Sequence, residues 1–85
     1  MESVGDQLRR AIADLWSQPI ESGADYVVFY DHFGNPARIR EQEGAYLIAW
    51  AVESPTAGWD EYGRRFDNPR QAALHAFQGP EKGRS

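Results

Sequence analysis

Residues 45–53, AYLIAWAVE, form the most apolar segment of the chain and the natural centre of its fold. Strand alternation gives the segment two apolar faces. One face carries Tyr46, Ile48, Trp50 and Val52, and the other carries Leu47, Ala49 and Ala51. A strand that is apolar on both faces is typical of the middle of a sheet with a helix packed against it. We therefore expect a central strand here.

Two strand patterns precede this segment. Residues 26–30, YVVFY, are β-branched or aromatic, and residues 37–42, ARIREQ, form a polar strand with Arg38 and Arg40 on one face. Gly34-Asn35 and Glu43-Gly44 supply turn residues on either side of the polar strand. These features predict two consecutive antiparallel hairpins.

Residues 59–66, WDEYGRRF, follow a loop predicted at 54–58. We interpret them as a fourth strand, with Gly63 marking a bulge. A helix remains an alternative, because Trp59, Tyr62 and Phe66 could also lie along one side of a helix.

A helix is predicted at each end of the chain. In the N-terminal segment, Leu8, Ile12, Leu15 and Trp16 recur at helical spacing. Ser3 or Asp6 would cap this helix, and Pro19 should end it by about Ser17. In the second helix, Asn68 fits the N-cap, Pro69 the first turn and Gly79 the left-handed stop position.

The order of these elements predicts an α+β fold. An N-terminal helix, a three- to four-stranded antiparallel sheet and a C-terminal helix packed on the sheet would form a two-layer sandwich. Residues 1–80 would make one domain, and residues 81–85 a disordered tail.

Composition excludes several chemistries. The chain of 85 residues has no cysteine and a formal net charge of -4. Disulfides, thiolate catalysis and cysteine-based zinc sites are therefore excluded. The sequence shows neither a membrane-span pattern nor a signal-peptide pattern, so we expect a soluble cytoplasmic protein.

Asp31-His32 is the pair that most resembles a catalytic fragment. If both lay in a strand they would point to opposite faces and could not form a carboxylate–imidazole bond. The helical wheel places the other histidine, His75, towards water. Carboxylate pairs at 41/43 and 60/61 are typical of solvated turns. We predict no catalytic residue, no metal site, no cofactor and no enzymatic activity.

Protein binding is the function that these features favour. The predicted binding patch is the segment around the fourth strand, because Trp, Tyr and Arg dominate interface hot spots. Its residues are Trp59, Asp60, Glu61, Tyr62, Arg64 and Arg65. The partner would be another protein, with the chain acting as an inhibitor or accessory factor. An exposed sheet edge could also support a homodimer.

Nucleic-acid binding is the alternative function. Aromatic and cationic side chains on a sheet can bind single strands. The candidate residues are Tyr26, Tyr30, His32, Arg38 and Arg40. This interpretation predicts that Arg38, Arg40 and Arg64 converge on one face. The acidic net charge disfavours it.

The layout of EGAYLIAWAVESP, Gly63 and DNPRQAALHAF resembles that of HicB-type antitoxins, which share a Gly-x-Tyr strand, a glycine-containing strand and an alanine-rich helix. The likeness covers about half of the chain and the spacings differ. It implies an antitoxin-like binding role. Phage-encoded inhibitors of bacterial defence, including anti-CRISPR proteins, are similar in size.

Overall fold

A computed structural model describes residues 3–51 and 59–79 of the chain. Helices α1 and α2 flank five strands along the sequence, and this confirms the predicted α+β class. The elements are α1 (Val4–Ala13), β1 (Pro19–Ser22), β2 (Tyr26–Tyr30), β3 (Pro36–Gln42), β4 (Ala45–Ala51), β5 (Trp59–Phe66) and α2 (Pro69–Phe77). The predicted strand residues 52–53, the loop at 54–58 and the tail at 81–85 lie outside the described residues.

The strands form one antiparallel sheet in the order β1-β2-β3-β4-β5. Five strands replace the three or four predicted, because Pro19–Ser22 pairs with β2. All four residues of β1 are exposed, so burial of one face does not impose an alternation of apolar and polar side chains on this strand. Without that alternation, the sequence contains no signal that distinguishes β1 from a connector.

Residues 59–66 form a strand, which excludes the helical alternative for the described chain. Leu47 pairs with Arg65 and Ala49 pairs with Glu61, so the single β4 residue between these pairs lies opposite the three β5 residues at 62–64. The extra residues surround Gly63, where a bulge was predicted. The pairing of β1 with β2 also shifts, between Pro19 and Glu21. Irregular pairing on both edge strands hinders the addition of a further strand.

Both helices pack on the same face of the sheet. The buried core joins α1, α2 and the alternate residues of β2, β3, β4 and β5. Its largest fully buried side chains are Phe29, Leu8, Ile12, Ile39, Ile48 and Val27. The Trp50 indole N–H donates to the carbonyl oxygen of Ala76 at 3.2 Å, which ties β4 to α2. The opposite sheet face, here called the open face, carries no helix among the described residues.

The predicted helix caps are Ser3 and Asn68. The Ser3 hydroxyl accepts from the Asp6 N–H, and the Asn68 side chain accepts from the N–H groups of Arg70 and Gln71. These bonds satisfy donors that the first helical turn leaves without partners. Both predicted caps are therefore confirmed, with Ser3 rather than Asp6 as the cap of α1.

Helix α1 ends at Ala13, earlier than the predicted limit near Ser17. The Trp16 N–H donates to the Ala13 carbonyl and the Ser17 N–H donates to the Ile12 carbonyl. This pair of bonds is the Schellman pattern, whose left-handed position is usually occupied by glycine. Here Trp16 occupies it, with φ of 62°. The prediction that Trp16 belongs to the packing stripe is wrong, because the chain turns away from the core before reaching it.

Candidate functional site

Asp31 and His32 lie in the turn after β2, since that strand ends at Tyr30. Asp31 Oδ1 accepts from the N–H groups of Phe33 and Asn35, at 2.9 and 2.8 Å. The His32 N–H donates to the Phe77 carbonyl at 2.7 Å, and the imidazole packs edge-on against the Phe33 and Phe77 rings. In this geometry Asp31 organises the hairpin turn, and His32 attaches the turn to the end of α2.

The second histidine lies in a different environment from the one predicted. His75 is half-buried, and its Nε2 lies 3.1 Å from the Tyr62 hydroxyl. The imidazole stacks on the Tyr62 ring and tilts against Phe66. The expectation that His75 faces water is therefore wrong, because β5 covers this side of α2.

Within residues 3–51 and 59–79, no three His, Cys, Asp or Glu side chains are grouped in a way that could hold a metal ion. Neither helix in the described part of the chain is long and apolar enough to cross a membrane.

The predicted protein-binding patch on β5 does not form one surface. Pairing with β4 places Trp59, Glu61 and Arg65 on the open face. Tyr62 lies on the helix-covered face, where its ring contacts Trp50 and His75. The alternation of side chains along β5 therefore divides the predicted residues between the two faces of the sheet. The side chain of Asp60 is not among those that the structure describes.

Arg64 also lies on the helix-covered side. Its guanidinium is 5.2 Å from the centroid of the Phe66 ring, and it lines a cleft beside Gln71 of α2 and Gln78, the residue that follows α2. The expectation that Arg64 joins Arg38 and Arg40 on one face is therefore wrong. Arg65, opposite Leu47, lies on that face instead.

The predicted nucleic-acid residues are mostly brought together. Tyr26 pairs with Arg40, Val28 pairs with Arg38, and Tyr30 pairs with Pro36. Tyr26, Tyr30, Arg38 and Arg40 consequently share the open face. His32 does not belong to this group, because the strand ends before it and its ring contacts Phe77.

Arg38 lies at the centre of the open face. Its guanidinium donates to a Glu61 carboxylate oxygen at 2.5 Å and lies 5.0 Å from the centroid of the Trp59 ring. The same carboxylate is 3.9 Å from Arg40. Beneath these side chains Ala49 is 0% exposed, although no helix of the described residues covers it. The arginine, tryptophan and glutamate side chains therefore shield the middle of the face from water.

Tyr26 lies at one margin of the open face. Its hydroxyl donates to a Glu21 carboxylate oxygen at 2.7 Å. This hydrogen bond, followed by partial burial and by the charges of Glu21 and Asp25, raises the pKa of the Tyr26 phenol. The pair links the edge strand β1 to β2 outside the backbone ladder.

Exposed hydrophobic side chains are concentrated at one end of the fold. The Ser17 hydroxyl donates to the Tyr30 carbonyl at 3.3 Å, which brings the end of α1 to the end of β2. The β2–β3 turn and the first residue of β5 lie at this same end. Of six exposed large hydrophobics among the described residues, all except Leu74 are there. We call this set the hydrophobic end: Trp16, Ile20, Tyr30, Phe33 and Trp59.

Sequence reasoning found only part of the hydrophobic end. Trp59 was predicted as a protein-binding residue and Tyr30 as a nucleic-acid-binding residue. Trp16, Ile20 and Phe33 were missed. Their exposure depends on which elements meet at this end of the fold, and no local sequence pattern indicates it.

No family model, curated protein or solved structure matches the chain.

Proposed function

We propose that the chain is a non-enzymatic protein-binding domain that contacts its partner through the hydrophobic end. The observation that supports this most directly is the state of Trp16. Its side chain is 97% exposed, and its backbone has a left-handed conformation that favours glycine. An indole in water contributes little to folding, and a left-handed backbone costs about 1–2 kcal/mol for an ordinary residue. A partner that buries the indole would account for both features.

The neighbouring side chains support an interface with an apolar centre. Tyr30 and Phe33 are about half exposed, and Trp59 is held by its contact with Arg38. Aromatic residues of this kind are enriched at the energetic centres of protein interfaces. They offer large contact area at a small loss of side-chain entropy.

The charge distribution favours a protein over a membrane or a nucleic acid. Anionic lipids and phosphate backbones are recognised by clustered Lys and Arg. Arg38, which contacts Trp59, is already paired with Glu61, and the whole chain carries a formal net charge of -4. A folded partner with an apolar pocket is the more compatible surface.

The proposed role is steric inhibition or accessory binding. Nothing in the Asp31-His32 geometry requires chemistry, because the Asp31 carboxylate binds backbone N–H groups and the imidazole contacts phenyl rings. A small rigid domain can block the working surface of a larger protein. Phage-encoded inhibitors of bacterial defence, of the anti-CRISPR kind, and antitoxins act in this way, and we place the chain in that functional class as part of the proposal.

The test compares two substitutions in a quantitative pull-down. Immobilised wild-type chain, Trp16→Gly and Leu74→Ser would be exposed to extract of the organism that encodes the chain. Leu74→Ser is the matched control, since it removes an exposed large hydrophobic side chain outside the hydrophobic end. We expect a protein retained by wild type and Leu74→Ser and lost by Trp16→Gly. Equal retention by both variants would contradict the proposal.

A further inference from the structure

A second candidate site lies at the centre of the open face. It is separate from the hydrophobic end, except that Arg38 contacts Trp59. Arg38 and Arg40 project from β3 on this face, two residues apart, and Glu61 reaches them from β5. The Glu61 carboxylate bonds Arg38 at 2.5 Å through one oxygen. Its other oxygen is 3.9 Å from Arg40, beyond hydrogen-bonding distance.

We infer that Arg38 and Arg40 form a binding site for a single carboxylate group of a protein segment, and that Glu61 occupies this site in the free protein. Glu61 would then be an internal competitor that a partner's Asp or Glu side chain replaces. The site shares the Arg38–Trp59 contact with the hydrophobic end but does not involve Trp16, on which the proposed function depends most.

The arginines are only partly satisfied by Glu61. The Nε atom of Arg38 is buried and has no hydrogen-bond partner among the described residues. Arg40 donates to the Gln42 side chain at 2.8 Å, which leaves it without a close carboxylate bond. Guanidinium groups bind carboxylates best through two parallel N–H···O bonds. Glu61 makes one such bond, so a better-placed carboxylate can compete with it.

Exchange requires that Glu61 can leave and that a ligand can enter. The Glu61 side chain is 49% exposed and belongs to an edge strand. The Arg38 side chain is 20% exposed, but solvent reaches the Glu61 carboxylate and weakens the attraction, so displacing Glu61 is not prohibitive. A cavity of about 250 Å³ opens beside the arginines and is lined by Asp25, Tyr26, Arg38, Arg40 and Glu41.

The surroundings favour a carboxylate over a phosphate backbone. Asp25 and Glu41 line the cavity, and Glu21 lies on the same face next to Tyr26. A nucleic-acid strand would bring successive phosphates against these acids, and their repulsion would oppose binding. A single carboxylate from a protein segment can reach the two arginines without placing further charge beside them.

The experiment is a titration followed by nuclear magnetic resonance of the arginine side-chain N–H groups. The ligands are a blocked Ala-Glu-Ala peptide, which carries one carboxylate, and a short oligothymidine, each at matched ionic strength set with sodium chloride. The proteins are wild type, Glu61→Gln, Glu21→Gln and Arg40→Gln. Glu21→Gln is the matched control, since it removes the same charge from the same face but leaves the Arg38–Glu61 bond intact.

We expect the Ala-Glu-Ala peptide to shift the Arg38 and Arg40 signals, and Glu61→Gln to bind it up to about fivefold more tightly than wild type, the upper range of one exposed ion pair. Glu21→Gln should change the affinity by less than about twofold, and Arg40→Gln should weaken it. An equal gain in affinity for Glu61→Gln and Glu21→Gln would show that the effect comes from net charge alone, and it would overturn the inference. So would stronger binding of oligothymidine, or the absence of arginine shifts. Trp16→Gly should not alter the titration, so failure here is distinguishable from failure of the hydrophobic end.

Discussion

Gly5 of α1 lies directly against Gly23, in the turn between β1 and β2. The Gly5 N–H donates to the neighbouring Ala24 carbonyl at 2.8 Å, and a Cβ atom on Gly5 would overlap the Gly23 carbonyl oxygen. This contact fixes the start of α1 on the sheet. Position 5 must be glycine because the two backbone segments approach closely, and not because its backbone angle is unusual.

Gly5→Ala should therefore destabilise the protein, although alanine is the better helix former by about 1 kcal/mol. The clash is with backbone, which cannot move without shifting the helix. We expect a loss of about 2 kcal/mol in the free energy of unfolding, in the range of overpacked sites. Urea denaturation followed by circular dichroism would measure it.

Gly63→Ala is the matched comparison. A Cβ atom on Gly63 would meet no atom within 4 Å, and its φ lies outside the left-handed region. Alanine there should leave the free energy of unfolding unchanged or raise it by up to about 1 kcal/mol. Equal changes in the free energy of unfolding for Gly5→Ala and Gly63→Ala would contradict a close contact between α1 and the β1–β2 turn.

Trp16→Gly should stabilise the isolated chain. Glycine has no Cβ atom to oppose the left-handed backbone, and the exposed indole contributes almost no burial. We expect a gain of about 0.5–1 kcal/mol, measured by urea denaturation. Glu43, with φ of 55° in the turn between β3 and β4, provides a control. Glu43→Asn should give a similar gain without affecting partner capture. A loss of stability in Trp16→Gly would show that the indole supports the fold.

Asp31→Ala should lower the free energy of unfolding by about 2–3 kcal/mol, because two backbone N–H groups would lose a carboxylate acceptor in a site that is 5% exposed. Asp31→Asn keeps an acceptor oxygen and should cost less than half as much. Thermal or urea unfolding of both variants would measure the difference. Equal losses would indicate that charge, and not the hydrogen bonds, holds the turn.

The phenol of Tyr26 should titrate above its ordinary pKa of 10.0, because protonated Tyr26 donates to Glu21. A raised pKa in the folded state means that the contribution of this bond is present below the ordinary pKa and is lost as the pH rises through the raised value. Ultraviolet absorbance of tyrosinate, compared between wild type and Tyr26→Phe, would assign the titration. Glu21→Gln should lower the pKa of Tyr26 towards its ordinary value, and no change would contradict the assignment.

The elements that could be predicted were those with strong local signals. β-Branched and aromatic residues identified β2, alternation identified β3, and the long apolar run identified β4, while the caps Ser3 and Asn68 were found from their spacing to the following turn. β1 was missed because its residues are all exposed and one is proline. The limit near Ser17 left the end of α1 open, because Leu15 and Trp16 continue the helical spacing after the hydrogen bonds have closed the helix.

The candidate sites were harder to predict, because they combine residues from elements that are distant in sequence. The pair of Arg38 and Arg40 could be placed on one face from alternation alone. Their bond to Glu61 depends on the register between β4 and β5, which the extra residues around Gly63 set. The hydrophobic end joins the ends of several elements, and no local pattern describes it.

The order of the strands in the sheet is the same as their order in the chain, so every strand pairs with its sequence neighbour. Where the connection is short, as in the two-residue turn between β3 and β4, the entropy lost before pairing is small. The contacts of α2 join segments much further apart in sequence, since its end binds the turn after β2 through the His32–Phe77 bond and its start meets the end of α1 through the Asp14–Arg70 pair. The folding rate of this domain should be governed by when the two helices dock, and not by the assembly of the sheet.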